Sequence, residues 1–235
     1  MSRTSIHGSI SRSRAKNGAL LSGTKSRQRG LEERIVWKSK KLVTFEQYLD
    51  RFMGAPEHIE LIKGVLVERM SAQIEHELLQ TWLLALLKLH VEDHSLGVVL
   101  GSRSAVKIEQ FGGRLPDILF VSHNRLEIIE QRAIYGAPDL VIEIRSPGDR
   151  PSDIISLEAD YRNFGVLEIW FIDPMSKAVR ALRRDEDGYH EEIVDFGTIR
   201  STAVKGFWLN VDWLEKDSQP AIRKTLETIE SGPIL

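Results

Sequence analysis

The 235-residue chain contains no cysteine. That excludes a disulfide scaffold, a thiolate nucleophile, an iron–sulfur cluster and any zinc site that needs sulfur, and it fits a cytosolic protein. Long apolar runs are missing too. No stretch approaches the ~20 residues of a membrane-spanning helix, so no membrane partner is expected. The longest apolar run near the start, Ala19-Leu20-Leu21, is far too short for a secretory signal. Acids are scarce in one place only. Residues 1–41 hold eleven Lys and Arg against Glu32 and Glu33, a net charge of +9, whereas the remainder carries −11. The overall value of −2 therefore does not exclude a nucleic-acid partner, because the positive charge is concentrated at one end.

What is present is enough apolar residue, 42%, to build a core. Residues 1–40 are expected to form a basic, disordered tail, rich in Ser and Gly in its first 30 residues and without a sustained hydrophobic period. The tail reads as a phosphate-attracting arm, a transit-type leader or an unselected extension. Residues 41–235 are expected to form one domain, with 200–235 as a helical C-terminal extension.

Within it, Thr44 to Leu49 reads as a capped short helix. His58 to Met70 reads as a hairpin broken at Lys63-Gly64. Ser71 is a candidate cap for a long helix from Gln73 to about Glu92, whose stripe of Ile74, Leu78, Trp82, Leu86 and Leu89 is expected to face the core. Val98 to Ile108 reads as extended and Phe111-Gly112-Gly113 as a turn. Asp117–Val121, Asp139–Ile144 and Glu168–Ile172 read as buried strands. Asp153 to Phe164 is expected to be a helix stopped by Gly165. Strands near Ala178–Arg183 and Tyr189–Val194, then helices at Val211–Glu215 and Ala221–Ile229, complete the pass. The fold class is α/β, a mixed central β-sheet flanked by helices.

Two acids stand out. Asp117 follows Pro116 at the head of an apolar strand, and Glu143 lies inside the run DLVIEIR. A charge buried in such a strand is costly unless it is paired or binds metal. Two converging carboxylates are satisfied by a divalent cation with oxygen ligands, Mg²⁺ or Mn²⁺. Alternatively, each acid caps a turn or pairs with an arginine such as Arg114 or Arg145.

The segments IELIKGVLVERMS with His76, RLPDILFVS, APDLVIEIRSPGDR, Tyr161 and GVLEIWFIDP together resemble the Uma2 family of the PD-(D/E)XK nuclease superfamily, from about Val43 to Val179. The resemblance implies a restriction-endonuclease-like core and a Mg²⁺-dependent DNA endonuclease in which Glu60, Asp117 and Glu143 hold the metal. Asp139 is read as a strand-start residue. The superfamily's lysine is absent: Arg145 stands two residues after Glu143, and Leu157 occupies the helix position where many relatives carry Lys. Either Arg145 substitutes as a catalytic cation, or Lys107 or Lys63 swings in, or catalysis is impaired and the chain is a nucleic-acid-binding or regulatory module. His76 is a candidate for the metal's water or a phosphate, or a helix-start hydrogen bond. Tyr161, Trp170 and Phe171 read as core. Related nucleases often work as dimers, so a homodimer is a candidate assembly.

Overall fold

The computed structural model describes residues 35–37, 41–52, 58–68 and 73–232. Of the expected tail these include only Ile35–Trp37, which form strand β1 rather than part of a disordered segment. Ser71, the proposed cap, lies outside the described residues.

Two larger sheets and three apolar clusters organise the chain. The first sheet has strand order β1-β3-β2-β6-β5 and is antiparallel throughout. It consists of β1, β2 (Ile59–Ile62), β3 (Val65–Glu68), β5 (Val106–Glu109) and β6 (Gly112–Arg114). Helix α1 (Phe45–Phe52) packs on it through Phe45, Tyr48 and Leu49. The expected hairpin is β2–β3, and Lys63-Gly64 makes its turn with positive φ at both residues. The expected turn at Phe111-Gly112-Gly113 is displaced by one residue: Gln110-Phe111 turn, while Gly112 and Gly113 lie in β6. Gly113 is there because Phe45 lies against the backbone; an added Cβ would stand 2.6 Å from the Phe45 ring.

The second sheet is six-stranded and mixed, in the order β11-β10-β9-β8-β7-β4. It contains β4 (Gly97–Gly101), β7 (Ile118–Ser122), β8 (Leu140–Ile144), β9 (Glu168–Asp173), β10 (Ala178–Asp185) and β11 (Gly188–Val194). Its one parallel pair, β8–β9, is joined by helix α3 (Pro151–Phe164). Gly165 closes α3 in the left-handed region. Val98 to Ile108, expected as one extended run, is thus split between the two sheets by residues 102–105.

Alternation along β8 separates the two faces. Leu140, Ile142 and Ile144 join the cluster under helix α2 (Ile74–Asp93), and Val141 joins the cluster under α3. Glu143 follows Val141 to the α3 side. In α2 the buried line is Leu79, Leu83, Leu86, Leu87 and Val91, with Trp82 beside it. Ile74, Leu78 and Leu89 of the expected core stripe are instead exposed, at 75%, 46% and 39%. The sequence of α2 is apolar on more than one face, so periodicity alone cannot choose which face meets the sheet.

The C-terminal span is not wholly helical as expected. A two-stranded ribbon of β12 (Thr198–Arg200) and β13 (Trp208–Asn210) precedes a 3₁₀ turn at Val211–Leu214 and helix α4 (Ile222–Ser231). Phe207, Trp208 and Leu209 enter the α2-side core. The ribbon is anchored by Glu168, the acid of the Glu-x-Trp sequence. Its Oε1 accepts from Trp170 Nε1 at 2.9 Å and Arg183 Nε at 3.0 Å. Its Oε2 accepts from the Ser201 hydroxyl at 2.6 Å and the backbone N–H groups of Thr202 and Ala203 at 2.9 Å. The fully buried carboxylate is thus saturated by five donors, which holds the 201–203 loop against β9. Glu168→Ala leaves Trp170, Ser201 and two loop amides without their acceptor and removes one of the two acids paired with Arg183. The expected loss is about 3–5 kcal/mol, read as a lower urea midpoint at unchanged slope. Glu168→Gln should lose less.

Candidate active site

Two of the candidate acids, Glu60 and Glu143, lie where the first sheet meets β8 and α3. Glu60 sits on β2 between Ile59 and Leu61, which both turn into the α1 cluster; alternation sends its carboxylate to the other side. There Oε2 accepts from Arg114 NH1 at 3.0 Å and Oε1 from the Leu115 backbone N–H at 3.1 Å. Arg114, at the end of β6, extends the same guanidinium to α3: Nε and NH2 donate to Asp160 Oδ2 at 2.8 and 2.6 Å, and NH2 to the Ser156 hydroxyl at 3.2 Å. This side chain is 4% exposed. Burial opposes its charge, but Glu60 and Asp160 outweigh burial and hold the guanidinium firmly protonated.

Glu143 receives the Tyr161 hydroxyl from α3 on Oε1 at 2.6 Å. Burial first, and then the charge of Glu143, pushes the Tyr161 hydroxyl well above its ordinary value, so it remains a donor across the neutral range. Asp117 precedes β7. The last β7–β8 register pair is Ile118 with Ile142, so continuing that register sets Asp117 across from Glu143. Its Oδ2 accepts from the Ile144 backbone N–H at 2.8 Å and lies 3.1 Å from His76 Nε2 of α2. Gln80 of α2 donates to the Asp117 carbonyl at 2.8 Å. His76 is thus paired with Asp117, itself a candidate metal ligand. Asp139 accepts from Ser122 N–H and Arg125, as a strand-start residue.

A cavity of about 230 Å³ opens beside this network. Glu60, Glu143, Arg114, Arg145 and Leu157 line it, whereas Asp117 is not part of its wall. The wall carries five carboxylates and three guanidiniums, those of Arg114, Arg145 and Arg150, and is therefore net negative. Arg145 shares the cavity with Glu143, as strand alternation requires, but its NH1 is held by Asp173 at 3.1 Å. Leu157 is buried in the α3-side core and contributes only apolar wall. Neither alternative lysine arrives. Lys107 pairs with Glu46 at 3.1 Å over the Tyr135 ring, and Lys63 stays exposed in the hairpin turn.

The three expected metal ligands do not assemble as a set. Among the described residues, no group of three His, Asp or Glu side chains is positioned to hold a metal ion. Glu60 is turned to Arg114 and the Leu115 N–H. Asp117 and Glu143 remain as the donor set, on adjacent strands, with Asp117 turned to His76 of α2 and Glu143 to Tyr161 of α3. Both are oxygen ligands, and Mg²⁺ commonly takes one or two carboxylates while keeping several waters.

A family profile described as "Putative restriction endonuclease" matches residues 44–212. The chain belongs to the Uma2 family. A solved structure described as a "putative nuclease belonging to DUF820" from Anabaena variabilis is similar to it, with a TM-score of 0.59 and 21% identity over 71% of this chain and 96% of that one. That likeness bears on the fold, which is mixed α/β with a six-stranded mixed sheet flanked by helices. A search of curated proteins found no match. Among the described residues, no helix is long and apolar enough to cross a membrane.

For this Uma2 protein, the residue that sequence reasoning undervalued is Arg114. It was legible only as one of two arginines that could pair with an acid. Its role as the tie between β2 and α3 depends on Asp160 and Ser156, which carried no signal of their own. Arg114→Gln leaves Glu60 and Asp160 facing each other without a cation, and the expected cost is about 3–5 kcal/mol in chemical denaturation. Tyr161→Phe should cost about 1.5–3 kcal/mol for the missing bond to a charged acceptor. The pH dependence has a definite sign. A hydroxyl whose value is raised in the folded state stabilises fully below its unfolded value, near 10, and that stabilisation disappears as pH rises beyond it. Wild type should therefore weaken relative to Tyr161→Phe only above about pH 10.

Proposed function

We propose that this Uma2 protein is a divalent-metal-dependent DNA endonuclease that hydrolyses phosphodiester bonds at the cavity between β2, β8 and α3. The carrying observation is the convergence of Glu60, Glu143 and Arg145 on one cavity, with Asp117 across the strand pair from Glu143. Two further facts support the reaction class. The family is described as "Putative restriction endonuclease" and the Anabaena protein as a "putative nuclease". The cavity's net negative wall would repel a polyanion unless a cation intervened.

Asp117 and Glu143 would hold Mg²⁺ or Mn²⁺, which when bound acidifies water and neutralises charge developing at phosphorus. The protein's own residues do the rest. Tyr161 and the Ile144 N–H, with His76, fix the two carboxylates so that little reorganisation is needed. Arg114 keeps Glu60 in place. Arg145 and Arg150 bring positive charge to the cavity wall. A guanidinium can clamp a phosphate in two places, but its permanent charge makes it a poor carrier of protons. The basic residues among 1–41 would add affinity for the DNA backbone outside the site.

Leu157 favours a second reading, a nuclease fold with impaired catalysis that binds nucleic acid or acts as a regulatory module. The apolar side chain on the cavity wall cannot orient water or neutralise phosphate. Nicking of supercoiled plasmid separates the two. Wild type with Mg²⁺ or Mn²⁺ should convert supercoiled to open circles, chelation should stop it, and Glu143→Ala should slow it by about 10²–10³-fold. Nicking that survives Glu143→Ala overturns the mechanism. A silent wild type made active by Leu157→Lys identifies the impaired reading.

The tail is tested separately. Deleting residues 1–30 should weaken DNA binding and flatten the dependence of log K on log salt by about 0.9 for each phosphate the shortened chain no longer neutralises. An unchanged slope would remove the tail from DNA binding.

A further inference from the structure

The last turns of α2 meet the loop that joins β12 to β13, and a histidine makes the contact. His90 is 3% exposed, and its Nε2 lies 3.0 Å from the Lys205 carbonyl. A carbonyl only accepts, so Nε2 carries the ring's proton and the neutral imidazole keeps a bare Nδ1. That Nδ1 is buried and, among the described residues, has no hydrogen-bond partner. The ring packs beside Phe207 with centroids 5.4 Å apart, and beside His94 at 4.5 Å. Gly206 passes against it, so that an added Cβ would stand 3.6 Å from His90 Cε1. His90 is thus built into the contact as a neutral ring. A second proton would create a charged donor at Nδ1 with no acceptor, beside the buried Phe207.

We propose that His90 is a proton-operated latch, closed when neutral, that fastens the Val204–Phe207 turn to α2 and lets it open on acidification. The turn, rather than the helix, is the part that moves. Leu86, Leu87 and Val91 of α2 are buried around His90, whereas Lys205 and Gly206 are exposed and the turn is closed by one bond from the Phe207 N–H to the Val204 carbonyl at 3.1 Å. The groups that face His90 come from three elements: Asp93 and His94 of α2, Lys205 of the turn and Glu230 of α4. Burial first, and then His94, disfavour the cation, against the Lys205 carbonyl, Asp93 and Glu230, and the outcome is a ring that takes its second proton below the ordinary histidine range. His94 is exposed and donates through Nδ1 to the His90 carbonyl at 2.9 Å, so its own protonation adds like charge beside the latch. A group lowered in this way contributes stability above its unfolded value, near 6.5, and that contribution is lost as pH falls toward the folded value. His90 lies fourteen residues along α2 from His76, about 21 Å, so the latch does not depend on the nuclease reading.

Amide exchange in the full-length chain, followed residue by residue by NMR and corrected for the intrinsic pH dependence of exchange, tests the latch. The Phe207 amide should lose protection below about pH 6.5, by at most about tenfold per pH unit, while the amides of Leu83 and Leu86 keep theirs. His90→Gln retains an N–H for the Lys205 carbonyl but cannot titrate, and Phe207 protection should then stay level between about pH 7.5 and 5.5. His94→Gln should leave most of the dependence in place. In wild type the His90 Cε1–H resonance should titrate below about pH 6.5 and in step with the loss at Phe207. Equal protection of Phe207 at the two ends of that pH range overturns the proposal, as does the same loss of protection in His90→Gln. Should that variant fail to fold, a wild-type His90 ring that titrates at or above the ordinary histidine value overturns it alone.

Discussion

Among the described residues, five carboxylates are withdrawn from water, those of Glu60, Asp117, Asp139, Glu143 and Glu168. Removing a charge from water costs several kcal/mol unless donors replace the missing solvation. The backbone and neighbouring side chains are arranged to supply them. Arg125 and a strand amide meet Asp139, five donors meet Glu168, His76 and a strand amide meet Asp117, Tyr161 meets Glu143, and Arg114 meets Glu60. Most of these pairings join elements distant in sequence. The requirement to satisfy buried acids therefore also joins the first sheet to α3 and the C-terminal ribbon to β9.

The five do not serve one purpose. Glu168 is enclosed, fully buried and saturated, with its donors drawn from β9, β10 and the ribbon loop, so its charge goes entirely into holding the fold. Glu60 and Glu143 are also buried and hydrogen-bonded but border a cavity. Both line space of about 230 Å³ that a substrate or ion can enter. That difference in surroundings, rather than burial or charge, marks the second group as the candidate active site. The same logic accounts for Arg114. A buried guanidinium between two acids is expensive to build as a fold device alone, and here it stiffens the wall of the cavity that Glu60 and Glu143 share.

Much of this was legible in the chain. Apolar runs located β7, β8 and β9, because strands buried on both faces need continuous hydrophobic residues. The Lys63-Gly64 turn and the Gly165 cap were readable because their positive φ restricts residue choice. Asp117 and Glu143 stood out because charge within such runs is unusual. Other features were not legible. The buried face of α2 was misassigned, since an all-round apolar helix gives no preferred direction until a sheet is set beside it. Gly112-Gly113 looked like a turn, although the bare backbone at Gly113 answers to the Phe45 ring packed above it. The ribbon at Thr198–Arg200 and Trp208–Asn210 is too short for a periodic signal and depends on Glu168, some thirty residues earlier.

By itself the sequence determined the class of fold, the positions of the charged residues inside apolar strands, the absence of sulfur ligands and the apolar Leu157 in place of a lysine. Those are local properties: hydrophobic period, residue identity and spacing. Only the tertiary structure decided which acids share a cavity, that Glu60 answers to Arg114, Asp117 to His76 and Glu143 to Tyr161, and that Arg145 is drawn to Asp173. Side-chain partnerships across strands and helices follow from register and from which face each element buries, and neither is written in any one segment of the chain.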